Sequence, residues 1–136
     1  MLYCYTTTNQ TVASGGNIVF NENGVARNKT SSHTVGSDTI KLNANGYYKI
    51  SFNASAVESG IVGNVIAQMY KNGSVLNGAT SVAYSSAESD IVNVNFNAIV
   101  KVYNCCCNSD PVTITIVNNG VSAIYNNASI VVERIA

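Results

Sequence analysis

An all-β domain, a sandwich, jelly roll or barrel of short strands, is what this sequence predicts. Apolar and polar residues alternate with period two over long stretches, which is the signature of half-buried strands. Asn-Gly pairs punctuate the chain at Asn23-Gly24, Asn45-Gly46, Asn72-Gly73, Asn77-Gly78 and Asn119-Gly120, and both residues tolerate the positive φ that tight hairpin turns require. No window shows helical periodicity and no linker interrupts the pattern, so residues 1–136 read as one domain.

Strands are expected over Leu2–Thr7, Asn17–Asn21, Ser32–Val35 and Thr39–Leu42, each filled by β-branched or aromatic residues. Gly46–Ala56 comes next, with Tyr48, Ile50, Phe52 and Ala54 on one face and Tyr47, Lys49, Ser51 and Asn53 on the other. Asn64–Lys71 leads into "MYKNGSVL", the clearest hairpin signal, and Thr80–Tyr84 follows. In Ile91–Tyr103, Val92, Val94, Phe96, Ala98, Val100 and Val102 share a core face, opposite Asn93, Asn95, Asn97, Ile99, Lys101 and Tyr103. Phe52 and Phe96 are expected to face the core from neighbouring strands. Val112, Ile114 and Ile116 repeat the alternation, and Ala128–Ile135 is the last strand.

Composition excludes several functions. Seven basic and seven acidic residues give a net charge of zero, so nothing supplies the basic footprint of a nucleic-acid binder or a polybasic membrane contact. No apolar run approaches the ~20 residues of a membrane span. The opening "MLYCYTTTNQ" has no basic start followed by an apolar core, so no signal peptide is expected on this chain. Charged residues are only 10% of the chain, and Asn, Ser and Thr supply the polarity instead.

Catalytic and metal-binding patterns are absent from the sequence. His33, in "TSSHTVG", is the single histidine and is expected on the surface of a strand. The carboxylates are scattered; Glu88 and Asp90 lie two apart, which is short of the six to eight oxygens calcium takes. Neither a phosphate-cradling glycine loop nor an HExxH occurs. Sequons at Asn9, Asn28, Asn53, Asn72 and Asn127 follow from the abundance of Asn. No enzyme activity, cofactor or metal is therefore expected. Four cysteines remain, Cys4 and the run Cys105, Cys106 and Cys107. The C-x₂-C spacing usual for zinc is missing, and nothing beside the run would lower a thiol pKa.

"NIVFN" (Asn17–Asn21), "SDTIKLNANGYYKISFNASAV" (Ser37–Val57), "MYKNGSVL" (Met69–Leu76) and "VSAIYNNASIVVERI" (Val121–Ile135) occur in an order that resembles the complement C1q and tumour-necrosis-factor jelly roll. Gly46, Tyr48, Ile50 and Phe52 take the places of that family's G-x-Y-x-F-x-F-like central strand. The chain departs from the vertebrate pattern in having no tryptophan and no aromatic pair at the last strand, and it has no Gly-X-Y stalk. It is most similar to bacterial and phage versions, such as C-terminal domains of collagen-like spore-surface glycoproteins and phage fibre or capsid-decoration proteins. The resemblance implies an antiparallel two-sheet jelly-roll sandwich and a cyclic homotrimer. Its axis-facing surface would include Tyr47, Asn93, Asn95, Asn97, Ile99 and Tyr103.

Jelly-roll order further implies that Cys105–Cys107 lie at the base near Cys4. The ranking of roles is then free or partly buried thiols, next a disulfide to Cys4, then a metal site, and last catalysis. The function so implied is that of a virion structural protein, a trimer decorating a phage capsid or forming a fibre head, in contact with other virion proteins. The alternative is a binding module on a bacterial cell or spore surface, recognising a glycan or a host protein.

Overall fold

The computed structural model describes residues 1–27, 29–87, 90–103 and 111–136. Among them run β1 (Leu2–Thr6), β2 (Gln10–Val12), β3 (Glu22–Ala26), β4 (Ser31–His33), β5 (Ile40–Leu42), β6 (Gly46–Glu58), β7 (Gly63–Lys71), β8 (Ser74–Ser85), β9 (Ile91–Val102), β10 (Val112–Asn118) and β11 (Ala123–Arg134). The first sheet has the order β3-β1-β11-β6-β9, with β2 against the start of β11; the second has the order β4-β5-β10-β7-β8. Every pairing is antiparallel. The expected antiparallel two-sheet jelly-roll sandwich is the fold observed.

Period-two alternation places the core between the sheets. β6 turns Tyr48, Ile50, Phe52, Ala54 and Ala56 inward, β9 turns Val94, Phe96, Val100 and Val102, and β10 turns Val112, Ile114 and Ile116. Phe52 and Phe96 are direct cross-strand partners, with ring centroids 5.4 Å apart. Phe20 meets Phe52 edge-on at 6.5 Å, a spacing at which aromatic quadrupoles attract. At the Asn72-Gly73 turn both residues have positive φ, 51° and 79°, so the β7–β8 hairpin is the one its sequence predicts.

Three expectations fail, each for a local reason. Asn17–Asn21 is not a strand. Ile18 and Phe20 are fully buried, but the segment makes one ladder bridge, Asn17 with Val117. The Gln10 side chain substitutes for a neighbouring strand: its Oε1 accepts from Val19 N at 2.9 Å and its Nε2 donates to Val19 O at 2.8 Å. The strand comes later, as β3, and contains Asn23-Gly24, which reads as a turn in isolation. Asn77-Gly78 likewise lies inside β8. Gly78 has φ +87°, and the register slips opposite it between Gln68 and Tyr70, so this positive φ serves a bulge. Gln68 Nε2 fills the gap by donating to Leu76 O and Ala79 O at 3.0 and 3.2 Å. The short β2 has no counterpart among the expected strands, and β6, β8 and β11 begin earlier or end later than expected.

A buried polar cluster joins the two sheets. Asn118, at the end of β10, has no exposed surface. Its Nδ2 donates to Val12 O at 2.9 Å and Val121 O at 3.0 Å, and its Oδ1 accepts from the Tyr125 hydroxyl at 3.0 Å. Its backbone exchanges bonds with Gly15 and Gly16. Gly120 follows closely, where an added Cβ would stand 2.1 Å from Asn64 O.

Phe52→Ala should cost about 3–5 kcal/mol, the usual range for truncating a buried phenylalanine, as read by chemical denaturation. Asn118→Ala should cost about 2–4 kcal/mol, because it strands buried carbonyls and a buried phenol without partners. A melt indistinguishable from the parent for either variant would show that these residues are misassigned.

Candidate functional site

The outer face of the first sheet is built in rows. In register across β1, β11, β6 and β9 lie Tyr5, Ser129, Asn53 and Asn95, and beside them Tyr3, Val131, Ser51 and Asn97. Asn127, Ser55 and Asn93 form the next row toward the far end. Neighbouring strands are tied through these side chains, since Ser51 Oγ donates to Asn97 Oδ1 at 2.6 Å and Ser55 Oγ to Asn93 Oδ1 at 3.0 Å. Short Ser and Asn side chains leave the middle of the face low.

The tyrosines of β1 form its wall. Leu2, Cys4 and Thr6 point into the core, so Tyr3 and Tyr5 must point out. Their rings stack at 5.4 Å and 29°. Gly24 of β3 makes room for them: a Cβ there would lie 2.7 Å from Tyr3 Cδ2. Between this wall and the Asn93 and Asn95 side lies a cleft of about 380 Å³. Tyr3, Tyr5 and Asn127 are not among the sequence-predicted site residues. The alternation in "LYCYT" holds the signal for the tyrosines, but which strands flank them is set by the sheet order.

All six residues expected at a trimer axis lie on this face or at its end, and all are exposed. Asn93, Asn95 and Asn97 form the polar rows. Ile99 faces Lys49, and Tyr47 faces Lys101. Tyr47, Ile99 and Tyr103 are 44%, 55% and 75% exposed, and they put apolar surface at the base of the face between the two lysines.

The expected thiol cluster is described on one side only, because Cys105, Cys106 and Cys107 lie outside the described residues. Cys4 sits within β1, paired with Ile130, fully buried and unbridged. Its Sγ donates to Asn23 Oδ1 at 3.3 Å, and burial pushes its thiol up to about 11. A thiol so protonated is a poor nucleophile. β9 does end at the end of the sandwich where β1 begins, since Val102 pairs with Gly46 and Tyr47 bonds Ala136.

His33 is not a free surface residue. Nδ1 lies 2.6 Å from Asn23 Oδ1 and Nε2 lies 2.8 Å from Ser37 O, while the ring meets Phe20 edge-on. Both nitrogens are thus engaged in positioning the β3–β4 region. Asp38 accepts from Asn17 Nδ2 at 2.8 Å, which holds its carboxyl below the usual range. Asp90 accepts from Ser86, and Glu88 lies outside the described residues. Among the described residues, no three His, Cys, Asp or Glu side chains gather where they could hold a metal.

No family model matches the sequence, and no curated protein matches it. The fold does have solved counterparts. The chain is similar to PRD1 vertex protein P5, with a TM-score of 0.60 and 15% identity over 99% of this chain and 96% of that one. It is also similar to Eiger TNF from S. frugiperda, with a TM-score of 0.68 and 8% identity over 99% and 92%. Murine APRIL matches with a TM-score of 0.59 and 7% identity over 95% and 96%. These likenesses establish a jelly roll of the TNF/C1q type, a fold that includes a phage protein among its members.

The setting of Cys4 yields a chemical test. In the native protein a maleimide should leave Cys4 unmodified, and in denaturant it should label it, as peptide mass mapping will report. Below about pH 9 the thiol is protonated whether folded or unfolded; between about 9 and about 11 only the unfolded thiol ionises. Stability should therefore fall as pH rises through that window. Cys4→Ala should remove that part of the fall, as seen in denaturation curves collected on both proteins.

Proposed function

We propose that this protein is a non-enzymatic structural component of a phage particle, a homotrimer displayed at the virion surface as a capsid decoration or fibre head. The observation that supports this most directly is the exposed apolar base of the first sheet. Tyr47, Ile99 and Tyr103 leave large hydrophobic surface in water, interleaved with Lys49 and Lys101 and next to rows of Ser and Asn. Surface of this kind marks an interaction site.

A second copy is the partner that fits. The face is large and lies on a rigid sheet, and β6 and β9 hold it in place through twelve paired positions. Cyclic closure puts the same face of each copy at one axis. The Ser–Asn bonds across β6 and β9 fix those side chains before association, so less rotamer entropy is lost on assembly. Similarity of the whole fold to a phage vertex protein supports the virion setting. The neutral surface, rich in hydroxyls and amides, suits an outer position, since no strong field attracts nucleic acid or anionic lipid.

Light scattering at micromolar concentration should give three times the 14.3 kDa of one chain. Ile99→Glu should shift the mass to that of a monomer while leaving the strand signal in circular dichroism unchanged. A parent that runs as a clean monomer would overturn the trimer, and absence from purified particles that package its gene would overturn the virion role.

A further inference from the structure

The second sheet carries a polar cleft on its outer face, away from the surface proposed for assembly. Its volume is about 450 Å³, and Tyr70, Asn119, Asn17, Thr113, Thr115 and Val117 line it together with two glycines. The residues come from four parts of the chain: β7, the turn after it at Gly73, β10 with the turn after it, and the Gly15–Asn17 segment that bridges to Val117.

Tyr70 makes the floor. It pairs with Thr115 across the β7–β10 ladder. Its hydroxyl nevertheless accepts from Asn119 Nδ2 at 3.1 Å. Asn119 lies four residues beyond Thr115, roughly 13 Å along the strand at ~3.3 Å per residue. Both side chains must therefore lie along the sheet for their ends to meet. The Tyr70 side chain is thus directed toward the next pair in register on its face, Gln68 and Val117. The tyrosine itself stays half-exposed, so part of its ring is open to solvent within the cleft.

Around this platform stand hydrogen-bonding groups without charge. The Tyr70 phenol accepts from Asn119, so its own hydrogen points away from that amide. The hydroxyl of Thr113 donates to Asn72 Oδ1 at 3.4 Å and can accept from elsewhere. Asn17 Nδ2 is held by Asp38, which orients its amide at the rim. No lining residue is ionisable near neutral pH.

We infer that this cleft binds a neutral saccharide. A pyranose has an apolar C–H face that packs on an open tyrosine ring and an equatorial rim of hydroxyls that pair with amide and threonine groups. Tyrosine offers both an apolar body and a polar tip, and a concave site with a few convergent polar groups is the usual form of a small-ligand site. An anionic ligand would find no cation in the lining, and an apolar one would strand the amides without partners. The cleft is shallow, so a single sugar unit should bind with a Kd on the order of 1 mM. The site is independent of assembly through the first sheet, and the two readings fail separately.

The test is saturation-transfer NMR and titration calorimetry on the full chain, with the methyl glycosides of glucose, galactose and N-acetylglucosamine and with glucose 6-phosphate. At least one neutral glycoside should bind saturably, with transfer to its C–H face. Tyr70→Ala should weaken it at least tenfold, and Tyr70→Phe, which keeps the platform, only a few-fold. Thr115→Arg, which fills the cleft from a half-exposed position beside Tyr70, should abolish binding while leaving the Tyr70 side chain itself in place. Tyr103→Ala, on the other sheet's side, should leave affinity unchanged whatever it does to the oligomer. No saturable binding by any neutral glycoside, equal binding in Thr115→Arg, or stronger binding of the phosphate would each overturn the assignment.

Discussion

The sandwich depends on one buried amide. Asn118 stands where β10 leaves the second sheet and the chain crosses to β11 in the first, beside the loop that leaves β2. Hydrophobic burial would press the two sheets together at many offsets, because the effect has no direction. Asn118 selects one offset. Its amide is satisfied only when Val12, Val121 and Tyr125 come from three segments at once. The same position of β10 fixes Val117 under the Asn17 bridge and sets where Asn119 can reach Tyr70. Gly120 allows the next residues to pass against Asn64, where any side chain would collide.

With the sheets in place, the two outer faces take different characters from the same residue types. On the first sheet, Ser and Asn are matched across β6 and β9, so their polar groups bond sideways and present a low, ordered surface. On the second, Tyr70 and Asn119 are offset along the strands and bond lengthwise, which draws the tyrosine side chain along the sheet. The cleft on the second sheet has no charged lining, so what binds there should vary little with ionic strength; the base of the first sheet carries Lys49 and Lys101 beside its apolar residues.

Much of the fold is legible in the sequence because alternation over β6, β9 and β10 is long enough to assign faces without a partner. Tyr48, Phe52, Phe96 and Ile114 are core residues by that test alone. Alternation at Ile18 and Phe20 reports burial correctly but not strand pairing, since the Gln10 side chain completes the backbone bonds there. Asn-Gly marks positive φ at Gly46, Gly73 and Gly78 but not at Gly24 or Gly120, and φ does not distinguish the turn at Asn72 from the bulge at Gly78. The candidate site divides in the same way. Ile99 and Tyr103 stand out as apolar residues on a polar face. Tyr3, Tyr5 and Asn127 join them only through the order β1-β11-β6, which places residues distant in sequence in adjacent rows. His33 reads as a surface histidine because neither Asn23 nor Ser37 is recognisable as its partner before the fold is known.

β1 and β11 are antiparallel neighbours, and Leu2 stands beside Val132, so the residues at both ends of the chain emerge at one end of the sandwich. This fixes how the molecule responds to mechanical load. Tension applied between Met1 and Ala136 would open the β1–β11 ladder like a zipper, one bond at a time, beginning at Leu2, and would meet little resistance. Tension between that end and the opposite tip would load the long β6–β11 and β6–β9 ladders in shear, with many bonds straining together. Held by its base and pulled from its tip, the protein would be stiff; pulled apart by its two termini, it would peel.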